Sequence, residues 1–554
     1  MSVDRIRERA GERAQDFLLH EQEYMLGFVE AEQSNPLTRG LGEAARRDAR
    51  EAVEMIFCVD RVLADTFARC VQGEEYREFA ARVEKTLREG GRLVLSGCGA
   101  TGRLALNLEA SWRRAAQRMA AEYPQQAQLL RRLEDQVVTI MTGGDYALIK
   151  SVECFEDYAE LGARQTAALN VGEGDLLIGV TATAETTSIL GTALAAAKAG
   201  AKVQMVVCSN PEAVSARLTR AREVFEREGV YALYLPCGAM AVTGSTRMQS
   251  SSIEQLSIAS AMEEALVRIV TGKSSGTDYA KAFTELMQQL LSDQAVAAAG
   301  DYAAFEAKVY EEGGLITYFA DEYLLDVLSD TTERSPTFVV PPFVPEGGSG
   351  EPSWAFVKDP QRSTEQAWRA CLMHEMRCIS WTKEDYESFG VKVDPVPKIS
   401  AQDLLGYRIG CEEAPAREGG TAVWIGEGTP CPSYGAHAGR YAGQKSLTLE
   451  DLGVKTEKTS MKLFEHLAIK IVLNTISTVS MGRMGRLTSN FMTWLNMSNK
   501  KLIDRSTRLI MQESGLTYEE ALYELMVSDE EIAAGLPGVT SPAQRTISRL
   551  LHAK

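Results

Sequence analysis

The sequence predicts an α/β fold of two tandem units, each a parallel sheet flanked by helices in the flavodoxin-like manner, with a helical N-terminal segment and a small helical C-terminal cap. Three observations carry this. Between residues 92 and 240 short apolar runs alternate with longer helical ones, the pattern of a parallel sheet covered on both faces. A second round begins near 305, and the long helical runs after 250 and after 463 hold corresponding places. This suggests a diverged duplication with a period of about 215–220 residues. Finally, 554 residues are too many for one ordinary core. The expected organisation is a helical segment over 1–88, a first unit over 89–300, a diverged second unit over 301–510 and a helical cap over 511–554.

The elements follow in order. EAEQSNPLTRG (30–40) is a polar break in which Asn35-Pro36 favours a turn, and RDAREAVEMIFCVDRVLADTFARCV (47–71) spaces its apolar residues as a helix does. RLVLSG (92–97) predicts a strand and RLALNLEASWRRAAQRM (103–119) a helix. VVTIMTGGD (137–145), DLLIGVTAT (175–183) and KVQMVVCSN (202–210) are strand-like, and TSILGTALAAAKAG (187–200) is a helix closed by Gly200. SSSIEQLSIASAMEEALVRIV (250–270) is a long helix. In the second round GLITYF (314–319), TFVVPPF (337–343) and TAVWIGEG (421–428) are expected strands, and LFEHLAIKIVLNTISTVSMGRMG (463–485) a long helix. Residues 345–455 are less regular and contain glycine and proline.

Bulk properties exclude several classes of function. Hydrophobic residues make up 45% and charged residues 24%, as in a soluble globular protein. No uncharged apolar run reaches the length of a membrane span, and the charged N-terminus does not read as a secretory signal. Ten cysteines without a C-x-x-C pair point to a reduced, cytoplasmic setting with neither zinc ribbon nor disulfide framework. A net charge of −17 argues against general nucleic-acid binding but leaves room for a local basic pocket. The histidines, His20, His374, His437, His466 and His552, show no ligand spacing, so neither a metal nor a cofactor is expected.

Gly97-Cys98-Gly99-Ala100-Thr101-Gly102 fits G-x-G-x-x-G at the first strand-to-helix turn. Such a turn aims free backbone N–H groups and the helix dipole at an anion, its glycines allow close approach, and Thr101 adds a hydroxyl. A dinucleotide would want an acidic residue about 20 positions further on. Here the next strand ends only at Gly143-Gly144-Asp145, about forty residues on, which favours a single phosphate group. GVTATAETTS (179–188) has five hydroxyl residues, including Thr181 and Thr183, and VTGSTRMQSSS (242–252) has six, with Ser245 beside Arg247. Both fall where a doubly wound sheet presents ligands, although capping and turn chemistry also use such residues.

Together these elements resemble the sugar isomerase (SIS) domain, and more closely the glucokinase regulatory protein and the bacterial N-acetylmuramic acid 6-phosphate etherase. The resemblance runs from Glu32-Gln33-Ser34-Asn35-Pro36 (E-x-x-N-P) through the glycine loop (G-x-G-T-S-G-R), Gly143-Gly144-Asp145, Phe155-Glu156-Asp157 and Thr243-Gly244-Ser245-Thr246-Arg247-Met248. It returns at Val472-Leu473-Asn474-Thr475-Ile476-Ser477-Thr478 and Ser498-Asn499-Lys500-Lys501-Leu502. It implies two SIS domains in one chain: a fused dimer whose halves have diverged. The family's acid/base Glu, in D-A-S-E-C-P-P-T-F, is matched by Ser111 in the first half, with Glu109 pointing elsewhere on the helix. In the second half Asp330-Thr331-Thr332-Glu333-Arg334-Ser335-Pro336-Thr337-Phe338 places Glu333 there. Where the second half should carry its phosphate loop it reads Phe319-Ala320-Asp321-Glu322-Tyr323-Leu324-Leu325. The resemblance thus implies one composite site, with the loop from the first half and Glu333 and the Lys501 cation from the second.

Glu333 and Glu156 are the candidate acid/base residues. Gly97, Gly99, Ala100, Thr101, Gly102, Thr181, Thr183, Glu185, Ser245, Arg247 and Lys501 are the candidate ligand contacts. Two departures stand against the etherase: Glu185 replaces the arginine of its A-S-G-R-T loop, and Gln249 replaces the lysine of its S-S-R-L-K segment. The resemblance implies a phosphosugar-binding sensor or regulator of the glucokinase-regulatory-protein type. An etherase-like lyase eliminating lactate is the alternative, and an aldose–ketose isomerase using His466 or Glu465 is the third reading. The implied partners are a sugar phosphate and, by resemblance only, a sugar kinase. The chain is expected to be a monomeric pseudo-dimer or a weak homo-oligomer.

Overall fold

The computed structural model describes residues 2–152, 155–411, 419–495, 497 and 499–552. Five parallel strands make the first sheet: β1 (Leu93–Gly97), β2 (Val137–Met141), β3 (Leu176–Val180), β4 (Lys202–Val207) and β5 (Val230–Tyr234), in the order β2-β1-β3-β4-β5. β1 and β3 are buried along their whole length, as strands covered on both faces must be. Four more make the second sheet: β6 (Ile316–Phe319), β7 (Ala355–Lys358), β8 (Thr421–Gly426) and β9 (Gly443–Thr448), all parallel, in the order β7-β6-β8-β9. The second order repeats the first, one strand shorter.

The halves meet through helices. Ala100–Glu122 and Gln249–Thr271 of the first half pack on Leu324–Phe338 and Leu463–Arg483 of the second. Leu463–Arg483 is buried on nearly every face, so its apolar residues need no single stripe. The N-terminal helices divide their allegiance. Ala49–Cys70 packs on Tyr279–Leu290 and Asp293–Glu311, whereas Val3–His20 lies on Tyr518–Ala533 of the C-terminal cap. There Arg13 pairs with Asp529 and Glu530, both at 2.8 Å. The Asn35-Pro36 break is a staple: the Asn35 side chain caps the following turn at Leu37 (3.0 Å) and donates to the Ala239 carbonyl (2.7 Å).

One expected strand is absent. TFVVPPF is not extended: its first two residues end the helix Leu324–Phe338, and Val339 then turns left-handed with φ +52 ahead of the adjacent prolines Pro341 and Pro342. Proline cannot donate to a ladder, so the apolar run has no place inside a sheet. β7 takes that place, and it lies in the irregular region where composition gave no strand signal.

Candidate functional site

β1 delivers Gly97 to the C-terminal edge of its sheet, at the switch point beside β3, and the helix Ala100–Glu122 leaves at once. A Cβ on Gly97 would lie 2.3 Å from the Thr101 carbonyl oxygen, and one on Gly102 would lie 2.9 Å from that of Gly97. These two glycines let strand and helix close on each other. Unlike Gly99, they do not line the cleft, and their role is in the packing of strand on helix. Gly99 does line it, at φ +54 and ψ −120, and a Cβ there would face Glu333 Oε1 at 3.9 Å. Thr101 lines the cleft as well, and its hydroxyl donates to the Cys98 carbonyl and accepts from the Cys98 N–H, both at 3.0 Å, closing the turn on itself. No side chain caps the first turn of this helix, and Gly99 and Ala100 at its start line the cleft.

The loop opens on a solvent-connected cleft that both halves line. Thr181, Thr183, Ser245 and Arg247 line it from the first half. From the second half comes Glu333, whose Oε1 is ion-paired with Arg103 Nη1. Arg103 is 1% exposed, and it also donates to the Ala147 carbonyl (2.8 Å) and Ser151 Oγ (3.3 Å). Lys501 enters from the helix Lys500–Ser514 and holds Glu156 Oε1 at 2.7 Å, with Glu185 Oε1 at 3.6 Å. Burial disfavours the Lys501 ammonium, but the Glu156 and Glu185 carboxylates outweigh it and hold its pKa well above the usual value.

Glu185 lies behind the cleft rather than in it. It takes Arg220 Nη2 at 2.9 Å and the Thr183 hydroxyl at 2.9 Å. Burial opposes its charge, yet Lys501 and Arg220 keep its pKa below the ordinary carboxylate value. It supports Lys501 and Thr183 and does not itself line the cleft. Arg247 spans the halves: it reaches Asp330 at 2.8 Å, Ser477 at 3.2 Å and Thr478 at 3.0 Å. The acid of E-x-x-N-P, Glu32, is likewise a support. Glu32 is fully buried against Arg505 (2.7 Å) and Arg508 (3.1 Å), and although burial opposes its charge, these arginines push its pKa down to about 2. Arg505 in turn lies on Gly244, where a Cβ would come within 2.2 Å of its Nε, which fixes the Thr243–Arg247 loop.

Sequence reasoning named neither Arg103 nor Arg505 as part of the site. Arg103 is the last residue of the glycine-loop motif and was the one available signal. Glu109 points away as expected, bound to Arg113 at 3.0 Å and to Arg377 at 2.5 Å. His466 is buried on Asp326 at 2.7 Å and Glu465 is paired with Lys458 at 2.8 Å; neither lines the cleft, so an isomerase base is not found there. Ser498 lies outside the described residues.

Comparisons with known proteins add three findings. The family profile for the glucokinase regulatory protein N-terminal SIS domain matches residues 77–197. The N-acetylmuramic acid 6-phosphate etherase of Porphyromonas gingivalis is 31% identical over 217 residues, 38% of this chain and 71% of that protein. That of Photorhabdus laumondii is 32% identical over 196 residues, 35% of this chain and 56% of that protein. Among the first such relatives the chain spans 48% to 64% of their length. Tagatose-6-phosphate ketose/aldose isomerase from Escherichia coli aligns over 81% of this chain and 96% of its own at 9% identity, with a TM-score of 0.43.

Proposed function

We propose that this chain, which belongs to the sugar isomerase (SIS) domain family, binds one neutral-sugar phosphate in the cleft between its halves and acts as a sensor or regulator of the glucokinase-regulatory-protein type. The observation that carries this reading is the pairing of every charge around the cleft. Among the described residues, Arg103 is paired with Glu333, Arg247 with Asp330, Lys501 with Glu156 and Arg505 with Glu32. The phosphate is met by the N–H groups of the glycine turn, which need no side-chain cation. A ligand with a second anionic group, such as the lactyl carboxylate of N-acetylmuramic acid 6-phosphate, finds no cation without an acidic partner. Sugar hydroxyls suit the site better, because Glu333 and Glu156 are fixed acceptors.

The lyase is the second reading, and two observations favour it: the etherase relatives, and two carboxylates facing one cleft. Eliminating lactate requires one carboxylate to take the C2 proton and an acid to assist the leaving oxygen. Ion pairs that tie both carboxylates to cations suit binding better than proton transfer. Regulation of a sugar kinase rests on family resemblance, as does a cytoplasmic location. No described helix is long and apolar enough to cross a membrane.

The test is a thermal-shift screen against fructose 1-phosphate, fructose 6-phosphate, glucosamine 6-phosphate and N-acetylmuramic acid 6-phosphate, with mass spectrometry of each recovered ligand. A ligand bound only by the native state raises the melting temperature. Stabilisation by a fructose phosphate recovered unchanged is expected. Release of lactate from N-acetylmuramic acid 6-phosphate would replace this reading with the lyase.

A further inference from the structure

We infer that Trp381, on a second-half segment that crosses onto the first sheet, is a positioning residue for Glu156 and so for the ligand in the cleft. This rests on the phosphosugar reading above. The segment between β7 and β8 returns over the end of β2 and grips the first half at two points. At the first point Arg377 N–H donates to Asp145 Oδ2 (2.6 Å) while Asp145 N–H donates to the Arg377 carbonyl (3.1 Å). The Arg377 guanidinium forks onto buried Glu109 at 2.8 and 2.5 Å. The approach is close enough that a Cβ on Gly144 would lie 2.9 Å from the Arg377 carbonyl oxygen. The Gly143-Gly144-Asp145 motif is therefore a docking point for the crossing segment.

At the second point Trp381 stacks on Phe155, with ring centroids 6.0 Å apart and planes 15° apart. Tyr386 closes the box edge-on to both rings, at 6.1 Å from Phe155 and 5.6 Å from Trp381. Phe389 meets Trp381 at 5.4 Å and lies under the Arg164 guanidinium at 5.3 Å. Phe155 is fully buried and is the residue before Glu156. The Glu156 carbonyl is held separately by Ser188 N–H at 3.0 Å. With the backbone pinned on one side and the preceding ring clamped on the other, the Glu156 carboxylate is directed at Lys501.

Between the two grips lie the carbonyl of Ala147 and the Ser151 hydroxyl, both of which take Arg103, the partner of Glu333. Ser151 also lines the cleft. The crossing segment thus holds both ends of the stretch that supports the two carboxylates. An aromatic stack of this kind contributes through geometry as well as area, so removing the ring releases Phe155 without touching the ligand.

The test is a calorimetric titration of the full chain with fructose 6-phosphate in the wild type, Trp381→Ala, Trp381→Phe, Glu156→Gln and the double variant Trp381→Ala/Glu156→Gln. Trp381→Ala is expected to weaken binding about five- to tenfold, the loss of one stacked pair. Trp381→Phe restores it to within about twofold, because the stack survives. The double variant binds no more weakly than Glu156→Gln alone, since both act through one carboxylate. If Trp381→Ala does not fold, Trp381→Leu, which keeps volume but not the stack, carries the same expectation. Full affinity in the ring-less variant beside a weakened Glu156→Gln, or additive losses in the double variant, would overturn the inference. No binding by the wild type would instead overturn the phosphosugar reading on which it rests.

Discussion

Two turns hold the same place in the two halves. Residues 97–102 leave β1 and residues 319–325 leave β6, each entering a helix at the seam. In the first, glycine lets backbone approach backbone and leaves N–H groups facing a cleft. In the second, side chains fill the space. Glu322 takes Arg118 of the first half at 2.7 Å and Lys462 at 2.9 Å, and Tyr323 donates to Glu427 at 2.5 Å. Burial opposes the charge on both acids, but Lys462 and its neighbours push Glu322 and Glu427 down to about 2. A phosphate would meet two carboxylates there. The exchange is reciprocal across the seam: Glu333 faces the first-half loop, whereas its counterpart Ser111 is buried and donates to Asn107 at 3.5 Å. One half carries the glycine turn and the other carries the acid that faces it, while the matching turn of the second half is filled by ion-paired side chains.

The largest effect should come from making the first turn resemble the second. Gly99→Asp places a carboxylate beside Glu333 at a positive φ, and phosphosugar affinity should fall on the order of 100-fold or more. Thermal unfolding should show the fold retained. Unchanged affinity would remove the loop from the account. The reverse change, Glu322→Gly, should leave affinity unaltered while lowering the melting temperature, because it breaks one ion pair across the seam, to Arg118, and one within the second half, to Lys462.

Next in size is Lys501→Met. It leaves Glu156 without its cation and Glu185 with Arg220 alone, and losing this part-buried, charge-assisted pair should cost about 1.5–3 kcal/mol. Denaturant unfolding should show that loss together with weakened binding. Glu333→Gln should be milder, reducing affinity about fivefold through a weaker acceptor and a lost partner for Arg103. A variant that binds as tightly as the wild type would end the composite site. Should turnover be found, this variant should harm it more than binding.

A separate effect, on stability rather than binding, is a pH dependence. Glu32, ordinarily near 4.5, titrates at about 2 in the folded chain. Its contribution is present above the unfolded value and is lost as pH falls from about 4.5 toward 2, up to roughly 3 kcal/mol in all. Melting temperatures across that window should fall less steeply in Glu32→Gln than in the wild type.

Much of the first half was legible because its strands are short apolar runs between clear turns. β1, β2, β3 and β4 all fall where alternation placed them. β7 was not, because it lies in glycine- and proline-containing sequence, and β9 was not, because an edge strand with exposed Gln444, Lys445 and Ser446 carries no alternating signal. In the site, residue type showed where a ligand group belongs but not what already binds it. Thr101, Thr183 and Glu185 have the right chemistry and are engaged with their neighbours. Arg103 and Trp381 act through partners distant in sequence, Glu333 and Phe155, which no local pattern reveals.

The most direct test of the central claim is the binding stoichiometry of fructose 6-phosphate per chain, measured by calorimetric titration with the recovered sugar checked by mass spectrometry. One site per chain, lost in Gly99→Asp and kept in Glu322→Gly, with the ligand recovered unchanged, is the predicted result. Two sites per chain, or one site that survives Gly99→Asp, would contradict the account.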